Sequence, residues 1–475
     1  MRKYIPFFIF FFVFLGVNLF KVIYDVRPFF DWDESIYAQV GNEMIQEKSY
    51  VVPLWQGKAW LDKPPIPSLM YGLMTYIPVQ HEVSMRVLTV LLSGIVLGLL
   101  YIFALKNSKS VFVATLTVII TSFLPVFLQR TQSLNVDVFL LIGWLGYFLW
   151  YRNLWAGIFF LLFGVLSKSL LGFYPVVMVF LYELLQLIVQ GKKRKNNFIV
   201  FIQNTLIQLG FSFVWFIWMF FKYKNDFIQY HFIDSHFKRV SASIEQHFGQ
   251  RTFYIDLLLE QVKYGIIPIL VSTATLIYFV LKKKSKEAFF SLIFVPWFLF
   301  LNVTKTKIAW YLYPVFPQFV YLSVYMIGLI EKWWVKTLVS AAVLWYFFTY
   351  MIPISSYLTT DFSKLDYHQQ IAQDAQKAEC KDLVVLVNDS TRSSYATLKS
   401  MDLTINTTTW WGNHPSMVYY SKSKVTYDYT IQEFINDMVN QKPHICFTAE
   451  KEDWDNAWQL RVISKNDLFI LGVKR

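Results

Sequence analysis

The sequence predicts an α-helical integral membrane protein that ends in a small extracytoplasmic α/β domain. Three observations point there. Of the 475 residues, 55% are hydrophobic and only 16% are charged, whereas a soluble domain carries about a quarter charged residues. A membrane-length window finds about eleven apolar runs. The basic residues cluster in short stretches between alternate runs, as loops held on the cytoplasmic side require. The formal charge of +12 therefore has a topological cause, and a nucleic-acid partner is excluded.

The runs lie near 4–24, 83–105, 111–129, 134–151, 154–167, 170–190, 198–221, 263–281, 287–303, 308–330 and 333–353. The fifth is short for a full crossing and reads as a broken or re-entrant segment, which needs surrounding protein to satisfy its backbone. A cleavable signal peptide is the competing reading of the first run. No small-residue cleavage site follows it, and the run is long. With Arg2 and Lys3 in the cytoplasm, the inside loops are Lys106–Lys109, Arg152, Lys192–Lys195, Lys282–Lys286 and Glu331–Lys336. Outside lie 25–82, 130–133, 168–169, 222–262, 304–307 and the tail. The expected division is a membrane domain over 1–353 and a soluble domain over 354–475. The tail mixes polar helical stretches with apolar runs such as Leu383–Val387 and Leu468–Gly472, which read as strands. It suits a lid or acceptor platform. Its two cysteines, Cys380 and Cys446, either pair in an oxidising compartment or remain separate buried thiols.

The chemistry concentrates in the outside segments. Residues from Asp31 to Pro65 read DWDESIYAQVGNEMIQEKSYVVPLWQGKAWLDKPP. Carboxylates, lysines and tryptophans crowd against the end of a span, where ionisable groups are costly unless they serve a site. The second large loop carries His231, Asp234, His236, Lys238, Arg239, His247 and Arg251. Span ends add Arg86, Arg130, Asp137, Lys168, Lys305 and Lys307. Carboxylates can act as a base or hold a metal, and cations can hold phosphate. That mixture suits a phosphate-bearing lipid whose head group enters from the membrane. Asp33 also reads as the N-cap of a helix over 34–48. Trp32, Trp55 and Trp60 fit an interfacial aromatic belt. Glu183 is the prominent acidic residue inside a span.

The runs DESIYAQVGNEM and VPLWQGKAWLDKPPIPSLMYGL resemble the first external loop of the GT-C glycosyltransferases. More narrowly, they resemble relatives of dolichyl-phosphate-mannose protein mannosyltransferase and the bacterial lipid A aminoarabinose transferase. Further matches follow in order: Ser84–Leu88 to an Arg-Leu-Pro span entry, Arg130 to Asp137 to an Arg…Asp turn, and Ser167-Lys168-Ser169 to a Thr-Lys-Gly element. Ser235–Arg239 resembles Glu-His-x-x-Arg, and Lys307, Tyr311 and Pro314 resemble Lys-Leu-Pro-x-Tyr…Pro. The likeness covers roughly 25–320. The chain departs from the pattern with Asp62 for Glu, Ser235 for Glu, Ser169 for Gly and Ile308-Ala309-Trp310 for Leu-Pro-x.

The resemblance implies a GT-C membrane fold and a polyprenyl-phosphate sugar donor. The acceptor is a lipid such as lipid A, a protein or an envelope glycan, and membrane lipids surround the site. Asp33 is expected as catalytic carboxylate, with Glu34 as its first-turn neighbour. Lys63 on a rigid Pro-Pro turn and Arg239 are expected to hold the donor phosphate, aided by Arg86, Tyr311 and Lys307. Arg130, Asp137 and Lys168 are expected to support the cavity. Asp62 and His236 form a candidate pair for a divalent ion (zinc, magnesium or manganese). The expected location is the plasma membrane, with the site on the extracytoplasmic face. A transporter of lipid-linked sugars is the alternative; it predicts mid-span ionisable groups and matching halves.

Overall fold

The computed structural model describes residues 4–474 except 246, 262–265, 283–284, 347–348, 350–363 and 441–444. The expected domain boundary near 353 therefore lies outside the described residues.

The first half is built from α1 (Ile5–Tyr24), α2 (Asp33–Gln46), α3 (Ile66–Leu73), α4 (His81–Ser108) and α5 (Val111–Ser122). It continues with α6 (Pro125–Thr131), α7 (Asp137–Trp150), α8 (Leu154–Lys168), α9 (Tyr174–Gln190) and α10 (Lys195–Phe227). Among the described residues, three helical stretches are long and apolar enough to cross a membrane: Ile5–Tyr24, His81–Ser108 and Leu154–Ser241. Large apolar side chains such as Phe12, Phe20, Trp155 and Phe221 stand exposed on them, as lipid-facing surfaces do.

The expected straight span at 111–129 instead bends by 74° between α5 and α6. Pro125 opens α6, and Leu124 before it is extended, because a proline disfavours helical backbone in the preceding residue. The expected loop from 222 is also largely helical. Beyond a non-helical Lys224, α10 runs into a π-helix at Ile228–Lys238. Packing explains this better than propensity: Phe227 and His231 are buried in an aromatic pile with Trp215 and Phe216. The later helices are short: α11 (Arg239–Ser241), α12 (Phe253–Gln261), α13 (Ile266–Leu281), α14 (Ser285–Leu292), α15 (Val295–Val303), α16 (Phe316–Gly328) and α17 (Trp333–Tyr346). The run expected at 287–303 is split, with a proline in the first turn of α15.

Two close crossings set the positions that matter below. A Cβ on Gly143 of α7 would lie 2.6 Å from the Cα of Gly164 in α8, so only glycine lets these antiparallel helices approach. Gly41 of α2 likewise admits the backbone of α3, since a Cβ there would sit 2.4 Å from the Ser68 carbonyl oxygen. Between α2 and α3, β1 (Leu54–Trp55) and β2 (Lys58–Ala59) form a short hairpin.

The tail is an α/β unit with a five-stranded mixed sheet. In chain order its strands are β3 (Asp382–Leu386), β4 (Lys424–Asp428), β5 (Ile445–Glu450), β6 (Leu460–Lys465) and β7 (Phe469–Lys474), arranged β4-β3-β5-β7-β6. β3 pairs in parallel with β4 and β5, while β7 runs antiparallel to β5 and β6. The apolar runs at 383–387 and 468–472 fall on β3 and β7. Cys380 and Cys446 are joined, 66 residues apart in sequence. Closing a loop of that length restricts the unfolded chain by roughly 4 kcal/mol in the chain-entropy account. Replacing both cysteines by serine should lower the unfolding midpoint of the tail accordingly, as read by denaturant titration of its tryptophan fluorescence.

Candidate active site

Helix ends bring the polar residues together. Arg130 lies in the last turn of α6, Asp137 opens α7, and Lys168 closes α8. An aspartate at a helix start and a lysine at a helix end both suit the macrodipole. Antiparallel packing of α7 and α8 places those two ends side by side. Arg130 donates to Asp137 Oδ2 at 2.9 Å, and the Lys168 ammonium pairs with Asp137 Oδ1. Lys168 Nζ also lies 4.5 Å from the centre of the Tyr311 ring, and Arg130 stacks over Trp310 at 4.9 Å.

Asp33 faces this group. Its Oδ2 lies 3.7 Å from Arg130, and its side chain remains 38% exposed while Glu34 beside it is 2% exposed. Asp33 is the first residue of α2, and its side chain makes no capping bond. Trp32 holds the N-cap position, so the capping role is not what forms. Glu34 points the other way. It receives Arg86 Nε at 3.0 Å and Arg86 Nη2 at 2.6 Å, together with the backbone N–H of Phe30 and of Leu134. Burial raises the Glu34 pKa, and the adjacent Arg86 more than reverses this, leaving a carboxylate below its usual range.

Two of the expected phosphate contacts are placed elsewhere. Arg86 spends its remaining donors on the carbonyls of Arg27 and Pro28, so it is a buried anchor. Lys307 donates to the carbonyls of Leu301 and Asn302 at 3.0 Å, where it caps the C-terminus of α15. Lys63 and Arg239, by contrast, approach one another. The half-buried Lys63 ammonium is pushed down to about 8, first by burial and then by the positive charge of Arg239; Asp62 opposes the shift, and Lys168 and Asp33 also act on it. Arg239 pairs with Glu245 at 2.9 Å. Among the described residues, the Nε–H groups of Arg130 and Arg239 are buried without an acceptor, an arrangement that costs free energy until something accepts them.

Asp62 is buried and held at 3.0 Å by the hydroxyl of Thr407. Burial raises its pKa against the pull of Lys63 and Thr407. His236 Nδ1 bonds to the His231 carbonyl at 2.6 Å. Among the described residues no third metal-capable side chain joins Asp62 and His236. The one such grouping of three among the described residues is Asp31, His368 and His414.

Several contributors carried no sequence signal. Thr407 comes from the tail, as does Asn406, which donates to Asp234 at 2.7 Å. Trp55 and Trp60 are buried against Trp411 of the tail; of the three expected belt tryptophans, Trp32 alone is exposed. His231 is a brace, with Nδ1 at 2.7 Å from the Leu61 carbonyl and Nε2 at 2.6 Å from Ser169 Oγ. Ser169 occupies φ 55°, a backbone region that favours glycine. The contact with His231 helps hold serine in this conformation. At the opposite end of the bundle, Glu183 receives Tyr151, Arg152 and Arg194. It is pinned to the basic loops and not free at mid-span.

No family model matches the chain. An uncharacterised protein of Aquifex aeolicus is 26% identical over 339 residues, and the match spans 66% of this chain and 65% of that protein's length. The crystal structure of ArnT from Cupriavidus metallidurans bound to undecaprenyl phosphate superposes with a TM-score of 0.68 at 15% identity, covering 98% of this chain and 97% of that one. The chain has the GT-C fold. Archaeal oligosaccharyltransferase AglB from Archaeoglobus fulgidus, in complex with an inhibitory peptide and a dolichol-phosphate, shares this fold at a TM-score of 0.58 and 10% identity. That match covers 93% of this chain and 69% of the other. The GT-C likeness to ArnT thus extends through the tail.

Glu34→Gln should destabilise the fold by about 3–5 kcal/mol, because it leaves the Arg86 charge buried without its partner. Asp33→Asn should leave stability within about 0.5 kcal/mol. Thermal melts of both detergent-solubilised variants would separate the two roles.

Proposed function

We propose that the protein transfers a sugar from a polyprenyl-phosphate donor to an acceptor at the outer membrane surface of the cell's plasma membrane. The observation that carries this reading is the convergence of one half-exposed carboxylate, Asp33, with Lys63, Arg239, Lys168 and Arg130 at one end of the bundle. Two buried guanidinium N–H groups there lack acceptors, and a phosphate would supply them. Two structures with this fold hold a polyprenyl phosphate, which supports the same donor class here.

In the reaction the acceptor oxygen forms a bond to the anomeric carbon as the bond to the donor phosphate oxygen breaks. Asp33 orients the acceptor and takes its proton. The electron pair leaves on polyprenyl phosphate, which Lys63 and Arg239 stabilise as its charge grows. Phosphate is already a good leaving group, so no strong acid is required. A single available carboxylate suits inversion at the sugar. Arg130 and Lys168, which share Asp137, hold Asp33 and Tyr311 in place. A hydroxyl of lipid A, a protein or an envelope glycan would serve as acceptor.

Purified protein supplied with radiolabelled undecaprenyl-phosphate sugars should consume donor. Asp33→Asn should reduce turnover by at least about 100-fold while still binding undecaprenyl phosphate; equal turnover by the variant would remove the mechanism.

The Lys63 pKa gives a second expectation. Its folded value near 8 lies below the ordinary 10.5. The unfolded chain therefore holds more protons between those values, and folding stability should rise with pH across that window. Donor binding needs the ammonium, so undecaprenyl phosphate affinity should fall as pH passes about 8. Lys63→Arg should flatten that dependence, as binding titrations from pH 6.5 to 9.5 would show.

A further inference from the structure

We propose that Asp31, His368 and His414 form a zinc site that pins the tail to the first loop. The three residues come from three places: the turn before α2, the first turn of the helix Tyr367–Lys377, and the loop before the helix Ser416–Ser421. Their ligand atoms all lie within 4.8 Å of one another. His414 Nδ1 is 2.7 Å from Asp31 Oδ2, and His368 Nε2 is 3.3 Å from the same oxygen.

A second observation singles the cluster out. His368 is 7% exposed, and its Nε2 is buried with no hydrogen-bond partner although it aims at the carboxylate. A buried ring nitrogen in that state needs an explanation, and an ion supplies one. The surroundings are those of a supported ligand set. The backbone N–H of Ser416 donates to Asp31 Oδ1 at 2.9 Å, which fixes the carboxylate and leaves Oδ2 for the ion. Tyr427 donates to the His414 carbonyl at 2.7 Å, which fixes that loop.

Two imidazoles and one carboxylate select zinc over magnesium or calcium, which prefer oxygen ligands throughout. The rings now stack with 3.9 Å between centroids and 9° between planes. Coordination would open the 2.7 Å contact to about 3.3 Å, the spacing of ligands around a tetrahedral ion with bonds of 2.0–2.1 Å. It would also fan the rings so that each lone pair meets the ion, with water in the fourth position. The effect is mechanical. Asp31 stands two residues before Asp33, and Gln369, beside His368, donates to the Phe29 carbonyl at 2.8 Å. An ion here would lock the turn that aims α2.

Untagged full-length protein, stripped with EDTA and then dialysed against zinc chloride and metal-free buffer, should retain about one zinc per chain by plasma mass spectrometry. His368→Asn and His414→Asn should each weaken zinc binding more than about tenfold. Asp62→Asn should retain it. Cobalt loading of the wild type should give the strong visible bands of a four-coordinate ion, a readout that does not depend on any variant folding. A wild type that keeps no zinc and shows no such bands overturns the proposal. So does retention by both histidine variants, or loss in Asp62→Asn.

Discussion

The buried pair of Glu34 and Arg86 is the constraint on which the rest of this site depends. It joins the first turn of α2 to α4, and through the backbone N–H of Leu134 it reaches the entrance to α7. Two ions removed from water at this depth are tolerable only when their hydrogen bonds are complete, and here the pair also takes up the carbonyls of Arg27 and Pro28. Because helical neighbours point roughly 100° apart, tying Glu34 inward turns Asp33 toward Arg130. The acidic pair in the sequence is thus one fastener and one open group.

Charge is sorted to the two ends of the bundle by the same rule. At one end Asp137 is shared by Arg130 and Lys168; at the other Glu183 is shared by Arg152 and Arg194. Each carboxylate faces two cations. The difference lies in what remains. The first end adds Lys63 and Arg239, which have Asp62 and Glu245 beside them, and the half-exposed Asp33, so it is the end where cations meet an accessible carboxylate.

Much of this was legible in the sequence. The membrane character, the α/β tail and the meeting of Asp33 with the cationic group follow from hydropathy, charge spacing and motif order. What was not legible has physical reasons. A sequence shows that Arg86 and Lys307 are charged, but not that carbonyl oxygens absorb their donors. The hydroxyl of Thr407 has no distinguishing neighbours in a polar tail, so its contact with Asp62 depends on long-range docking. The helical stretch after 221 arises from aromatic packing around His231, which no local propensity encodes. The breaks at Leu124 and within 287–303 were readable, since Pro125 and Pro296 stand in the runs. A membrane-length average simply hides them.

The docking of the tail has a temporal side. Asp31, Asp62 and Asp234 all belong to the first half of the chain, yet their partners His414, Thr407 and Asn406 lie beyond residue 400. A ribosome that has delivered everything up to that point has made all three acidic groups but none of these partners. These contacts therefore form only once the last sixth or so of the polypeptide has emerged and folded back, and maturation of the site becomes a late event in biogenesis.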